Sequence, residues 1–398
     1  MLFEIVIDKR FLVSLTQMTQ PQLTLSPGWT FLSDHGQTGC LYYVGDVDSS
    51  KPTNAFDLDW TIIRPASGRK TPRGPRDWIF LHPGTPDRLQ KLATTSNIVI
   101  FSNQSGCVNN GKGRISDICG KLDSIINSIG VNCSVFIACG YCTYRKPKSK
   151  MWSLWQQLAN IPNNHPKDRY IGDAAGRPGD YADSDLTFAL NCNIRFETPE
   201  QFFLDMTGAR TNYPLPTHPS ALTHPPPLAS TRFVPAAGQE LIIICGPPGA
   251  GKSTWIRRNC LLDTYTRVSQ DVLKTKAKCH RAVKEALARG ESVVVDNTLP
   301  DRERRGEYVA LAQAAGVKVR CVLMTIPKEY AMHLNAMRED HPNEAARKPR
   351  VPPVGETMYW SRYEKPDAGV EGLSEVVEVG WSYDPRETPR ELIERWHR

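Results

Sequence analysis

No apolar run in this 398-residue chain approaches the roughly 18 residues that a membrane helix needs. The opening residues, Met1-Leu-Phe-Glu-Ile-Val-Ile-Asp-Lys-Arg10, lack the n-region, h-region and cleavage pattern of a signal peptide. Metal-type cysteine spacing is scarce as well. Cys139-Gly-Tyr-Cys142 is the only C-x-x-C, and no second pair completes a zinc site. The eleven cysteines are odd in number and scattered, and Cys139, Cys245 and Cys321 lie in apolar runs. They read as the buried reduced thiols of an intracellular protein rather than as a disulfide framework. There is no internal repeat and no persuasive basic nuclear-import run. The expectation is a cytosolic or nuclear protein with no membrane partner.

What is present is ordinary in bulk and specific in pattern. Hydrophobic residues make up 40% and charged residues 23%, as in soluble globular proteins, and the length favours two domains over one. A formal charge of +7 suits a polyanionic partner without proving one. Residues 1–50 are weakly patterned and read as a mostly irregular N-terminal extension. From 51 to 200, apolar strands (Ala55–Asp59, Ile98–Ser102, Val135–Cys139, Tyr170–Asp173) alternate with helical patterns. Residues 201–237 hold six prolines between Pro214 and Pro227 and read as a semi-rigid linker. Alternation resumes over 238–398. Such alternation implies parallel sheets covered by helices, so the fold class is α/β, with two three-layer α/β domains.

The sharpest signal lies in the second domain. Gly246-Pro-Pro-Gly-Ala-Gly-Lys-Ser-Thr254 fits G-x-x-x-x-G-K-[ST] and follows the apolar run Leu241–Cys245. Strand, glycine loop and helix form the setting of a phosphate loop. Gly246, Gly249, Ala250 and Gly251 let backbone N–H groups turn toward phosphate oxygens. Lys252 reaches the β- and γ-phosphates, Ser253 holds Mg²⁺, and Thr254 continues the helix start. ATP or another nucleoside triphosphate is therefore the expected ligand. Asp271, after the short strand Thr266–Val268, is placed to take a proton from an acceptor hydroxyl; a plain helix N-cap is the competing reading. Asp296 ends another strand and suits the metal's water shell. Arg302, Arg304, Arg305 and Arg338 lie on helices that read as a lid, with Arg338 the one expected to contact nucleotide.

In the first domain, Asp57-Leu-Asp59 closes an apolar strand. Two carboxylates projecting together repel unless a cation or a proton intervenes. Aspartate-nucleophile phosphoryl transfer uses both. Asp57 would attack phosphorus, and Asp59 would protonate the leaving oxygen. Ser102 and Asn103 follow a second strand and offer donors to phosphate, and Lys146 offsets charge. Asp173 follows another strand and joins Asp57 and Asp59 around Mg²⁺, with Asp185 behind it. Each strand-end Asp alone is commonly a turn or cap; four in the order D-x-D, S/T, K, D are specific, and the set resembles the haloacid dehalogenase phosphatases.

Taken together, the two halves resemble the eukaryotic polynucleotide kinase 3′-phosphatases. The resemblance rests on Phe56–Asp59, Gly74–Trp78, Asn103-Gln104, Tyr144–Pro147, Gly172–Pro178, Phe188–Asn191, Gly249–Thr254, Asp296–Thr298 and Ala314–Gly316. It implies a haloacid dehalogenase-like 3′-phosphatase followed by a P-loop 5′-kinase, acting on DNA with 3′-phosphate or 5′-hydroxyl ends. It further implies Mg²⁺ and ATP as cofactors, Asp57 as nucleophile, Asp59 as acid/base, Asp271 as kinase base, and a nuclear, monomeric enzyme. Fifty weakly patterned residues cannot supply the forkhead-associated domain of animal members, so no phosphopeptide-mediated scaffold binding is expected. Three residues depart from the family. Trp60 replaces a small residue beside the nucleophile, and either narrows the mouth or stacks on the terminal base. Gln270 stands where Arg is common, and Ala336 where relatives carry a second lid arginine. An RNA-end healing enzyme and an end-binding scaffold that has lost one activity remain the alternatives.

Overall fold

The structure, a computed structural model, describes residues 25–35, 38–107, 115–206, 219–223, 233–259, 261–343 and 346–397. Two compact units form, each around its own sheet.

The first unit is built on seven strands: β1 (Thr30–His35), β2 (Thr38–Tyr43), β3 (Thr53–Phe56), β6 (Asn97–Gln104), β7 (Ser134–Cys139), β8 (Arg169–Ile171) and β9 (Arg195–Glu197). The short pair β4 (Ile63–Arg64) and β5 (Ile79–Phe80) stands apart from it. The sheet order is β1-β2-β7-β6-β3-β8-β9, parallel from β7 to β9. The core strands β3 and β7 are buried at every position, and β7 accordingly reads as an almost continuous apolar run. Helices Thr85–Ala93 and Ile115–Ile129 pack Leu89, Leu122, Ile125 and Ile129 against them.

The N-terminal expectation needs correction. Residues 30–43 form an antiparallel pair, β1 with β2, and β2 adds antiparallel to β7 with Leu41 opposite Ile137. The pair is too short for alternation to stand out, and its burial comes from β7, ninety residues away. The 201–237 linker falls largely outside the described residues. Its described part includes the capped helix Pro199–Phe203, which runs into it, and a 3₁₀ turn Pro219–Thr223, whose Leu222 is buried with Leu334 and Ile393.

The second unit has five parallel strands: β10 (Glu240–Cys245), β11 (Tyr265–Val268), β12 (Ser292–Val295), β13 (Lys318–Thr325) and β14 (Glu375–Gly380). Their order is β11-β12-β10-β13-β14, so β10 lies at the centre. Val293–Val295 and Leu241–Cys245 are fully buried, and helices Lys276–Ala288 and Arg302–Ala314 supply Val283, Leu287, Tyr308 and Val309 to one side.

Arg305 is not a lid residue. Its guanidinium is wholly buried and grips Glu371 with two bonds of 2.7 Å, while Nη1 donates to the carbonyls of Leu299 and Pro300 at 3.2 Å. Removing one partner of such a pair strands a buried charge, which costs about 3–5 kcal/mol. Glu371→Ala should therefore lower the unfolding free energy by that amount and move the denaturant midpoint down accordingly. A loss under about 1 kcal/mol in urea titration would mean that water reaches the guanidinium.

Candidate functional site

In the first unit, β3 stops at Phe56, and Asp57 keeps one more sheet bond, its N–H donating to Ile171 O at 2.8 Å. The chain then turns tightly. Ile62 and Ile63 N–H both donate to Leu58 O at 3.0 Å, and Trp60 N–H donates to Ile63 O at 2.6 Å. Asp57 and Asp59 are thus not two residues of one strand face. Asp57 is buried, and Lys146 Nζ sits 2.5 Å from its Oδ1 with a second bond of 2.7 Å to Tyr170 OH. Tyr170 in turn donates to Phe101 O at 3.1 Å. Asn103 fixes the backbone that carries the lysine. It accepts from Lys146 N–H at 2.8 Å and donates to Lys146 O at 3.1 Å. Ser102 is buried, and its Oγ accepts from Gln104 Nε2 at 3.0 Å.

Three carboxylates converge here. Asp57, Asp173 and Asp185 each present an oxygen within 4.8 Å of the others. Asp185 reaches the group from the helix Ser184–Asn191 and accepts from Ala174 N–H at 3.0 Å, while Thr61 Oγ1 donates to Asp173 at 3.4 Å. Three carboxylates this close repel one another, and a bound cation would relieve that repulsion. An all-oxygen set is what Mg²⁺ prefers, so the residues fit that ion.

Asp59 is absent from this cluster. Its carboxylate accepts from Gln104 Nε2 at 2.5 Å and lies 3.5 Å from Lys121 Nζ, a mostly buried cation on the helix Ile115–Ile129. The carboxylates that converge are those of Asp57, Asp173 and Asp185, whereas the Asp59 carboxylate, expected with Asp57 and Asp173 around Mg²⁺, lies against Gln104 and Lys121. Sequence reading placed Asp185 one layer back and had no signal for Lys121, a cation on an otherwise amphipathic helix.

In the second unit, the loop leaves the C-terminal end of the central strand β10, where open α/β sheets bind ligands. Gly251 starts the helix Lys252–Arg258 in the left-handed region at φ +84°. Gly249, also at +84°, packs so tightly that a Cβ would meet Ala331 O at 2.3 Å. Ala250 is buried, and Gly246 N–H is tied to Thr298 O at 3.0 Å. Lys252 Nζ donates to the loop carbonyls of Gly246 and Pro247 at 3.0 and 2.8 Å. Ser253 Oγ donates to Asp296 Oδ2 at 2.7 Å, and Arg267 Nε reaches the same oxygen at 3.0 Å. Thr254 Oγ1 sits 3.5 Å from Arg257.

Asp271 is exposed in the first turn of the short helix Gln270–Leu273, and Ser269 takes the N-cap position. Arg338 closes the helix Lys328–Met337. Burial lowers its pKa against the opposing charges of Asp271 and Glu339, which puts the arginine and Asp271 in one neighbourhood. Ala336 is buried, so an arginine at that position would point into the core rather than across the loop. Sequence reading missed Arg267 and Lys348. Burial lowers the Lys348 ammonium, and Arg338 and Arg267 push it the same way.

Burial also pulls the Lys252 ammonium down to about 8, with Asp296 opposing the shift. An unfolded lysine titrates near 10.5, so between about 8 and 10.5 the unfolded chain holds a proton that the folded chain has released. Stability from this group rises with pH across that window and is lost as pH falls through 8. Lys252→Met has no such proton. In urea titrations from pH 7 to 10.5, the wild type should gain on the variant as pH rises; a pH-independent gap would mean a solvated ammonium.

Comparison with known proteins agrees with both halves. A family model described as polynucleotide kinase 3 phosphatase matches residues 52–203, and one described as AAA domain matches 241–351. The bifunctional polynucleotide phosphatase/kinase of Schizosaccharomyces pombe is 35% identical over 352 residues, covering 86% of this chain and 83% of its own. A putative bifunctional polynucleotide phosphatase/kinase of Acanthamoeba polyphaga mimivirus is 32% identical, covering 83% and 85%. The polynucleotide 3′-phosphatase of Saccharomyces cerevisiae is 31% identical over 206 residues, 37% of this chain and 86% of its own. Over most of its length, then, the chain belongs to the family of bifunctional polynucleotide phosphatase/kinases.

Proposed function

We propose that this chain makes broken DNA ligatable, removing 3′-phosphates at Asp57 and phosphorylating 5′-hydroxyls from ATP at the loop around Lys252. The observation that carries the reading is the pairing of a Lys146-bound, buried aspartate at a sheet's C-terminal edge with a phosphate loop in the same chain. The phosphatase occupies about 51–200 and the kinase 238–398.

Asp57 Oδ attacks phosphorus, forming an aspartyl-phosphate and releasing the strand's 3′ oxygen. Asp59, held by Gln104 and Lys121, delivers the proton to that oxygen and then takes one from the water that hydrolyses the intermediate. Ser102 offers its hydroxyl to the phosphate, and Asn103 acts by holding Lys146. Lys146 balances charge on the transferring group. Mg²⁺, held by Asp57, Asp173 and Asp185, supplies neutralisation of the phosphoryl oxygens.

In the kinase, the loop N–H groups and Lys252 hold the ATP phosphates, and Arg338 covers them. Ser253 and Asp296 form the second Mg²⁺ locus, and Asp271 takes the proton from the 5′-hydroxyl. Among the described residues no helix is long and apolar enough to cross a membrane. A monomer acting on single-strand breaks in the nucleus is the setting that fits the family.

The test is a nicked duplex with 3′-phosphate and 5′-hydroxyl termini, incubated with Mg²⁺ and ATP and followed at both ends by gel. Conversion of both termini is expected. Failure at both would sink the reading, and faster turnover of the matching RNA duplex would redirect it.

A further inference from the structure

Trp60 is costly in two ways. Its backbone sits at φ +60°, in the left-handed region, where a bulky side chain is strained and glycine is not. Nor does burial compensate, because 38% of the residue stays exposed. Yet the indole is held in place. Its Nε1 donates to Lys70 O at 3.2 Å, and its own N–H is bonded to Ile63.

The loop that holds it is itself organised. Asp77 accepts from Ser67 N–H and Oγ at 2.7 Å and from Arg73 N–H at 2.8 Å. Arg69, Lys70, Arg73 and Arg76 are exposed on that loop. Asp77 is the only acid between Arg64 and Trp78, and the loop's own turns occupy it. A fixed, part-exposed indole therefore lies three residues along the chain from Asp57, bonded to a loop that carries four solvent-facing cations. An aromatic face for a base and cations for its backbone are the two parts of a single-strand end platform.

Resting on the phosphatase reading, we propose that Trp60 stacks on the base of the 3′-terminal nucleotide whose phosphate meets Asp57. The residue thereby selects ends whose last base is free of its partner. The strain at Trp60 is retained because the stacked face is used; an indole serving only to fill space would be buried.

The test compares wild type, Trp60→Phe and Trp60→Gly on two single-stranded oligonucleotides with 3′-phosphates, one ending in a normal nucleotide and one in an abasic tetrahydrofuran. In Trp60→Gly the preference for the base-bearing end should fall roughly 5- to 100-fold, through KM rather than kcat. Trp60→Phe should retain most of it. Because glycine relieves the backbone, the thermal midpoint of Trp60→Gly should not drop. An equal fall for both ends, or an unchanged preference, would overturn the proposal; the former would mean that the indole only shapes the mouth. If the wild type releases no phosphate from either end, the phosphatase reading itself fails. Stacking is then decided by a 3′-terminal 2-aminopurine. Quenching on wild type but not on Trp60→Gly upholds it, and equal signals reject it.

Discussion

Asp57→Asn should abolish 3′-phosphate release, by at least about 10³-fold, while 5′-phosphorylation by the same preparation continues at the wild-type rate. The substitution keeps shape and removes the nucleophilic charge. It also removes the negative charge facing Lys146, whose ammonium is nearly inaccessible and 2.5 Å from Asp57. That leaves a buried cation without the carboxylate at 2.5 Å, a structural cost to be told apart from loss of the nucleophile. Two measurements separate the causes. Circular dichroism through the melt reports whether the first unit stays folded, and Lys146→Met in the Asp57→Asn background removes the stranded charge. Stability should return in the double variant and activity should not. Residual phosphatase within tenfold of wild type would mean that another group attacks phosphorus. Loss of kinase activity in a folded protein would mean that the two sites are not independent.

How much of this was legible in the sequence depends on the range of the determining contact. The phosphate loop was fully legible, because its strand, glycines and helix are consecutive and their geometry is local. Asp57 and Lys146 were legible as strand-end chemistry. Their 2.5 Å contact was not, since it is set by Asn103 pinning the lysine's backbone across the sheet. The pairing of Asp57 with Asp59 misled for a definite reason. Period-two alternation assumes that the strand continues, but the turn at Leu58–Ile63 ends it and rotates Asp59 toward Gln104. Asp185 joins Asp57 and Asp173 from a helix whose entry turn cannot be read from spacing. Arg305 shows the same limit in a helix. Its face read as part of a lid, and packing turned it inward.

Lys252→Ala should lower 5′-kinase kcat/KM by at least about 10³-fold and leave 3′-phosphate removal untouched. Two features make the effect large. The ammonium is held within the loop by the carbonyls of Gly246 and Pro247, so it enters the phosphate position already oriented, and that preorganisation is lost with the side chain. Burial has also weakened its hold on its proton, to about 8, so negative phosphate oxygens gain more from it than from a solvated lysine. Alanine leaves the loop's backbone donors in place, because Gly246 stays tied to Thr298 and Gly249 stays packed on Ala331. Nucleotide binding should consequently weaken less than turnover. A fluorescent ATP analogue titrated against wild type and variant reads the first quantity, and transfer of γ-phosphate to a 5′-hydroxyl oligonucleotide reads the second. Equal losses in binding and turnover would assign Lys252 to ground-state anchoring alone. Turnover within tenfold of wild type would move the catalytic charge to another cation of that neighbourhood, such as Arg338, Lys348 or Arg267.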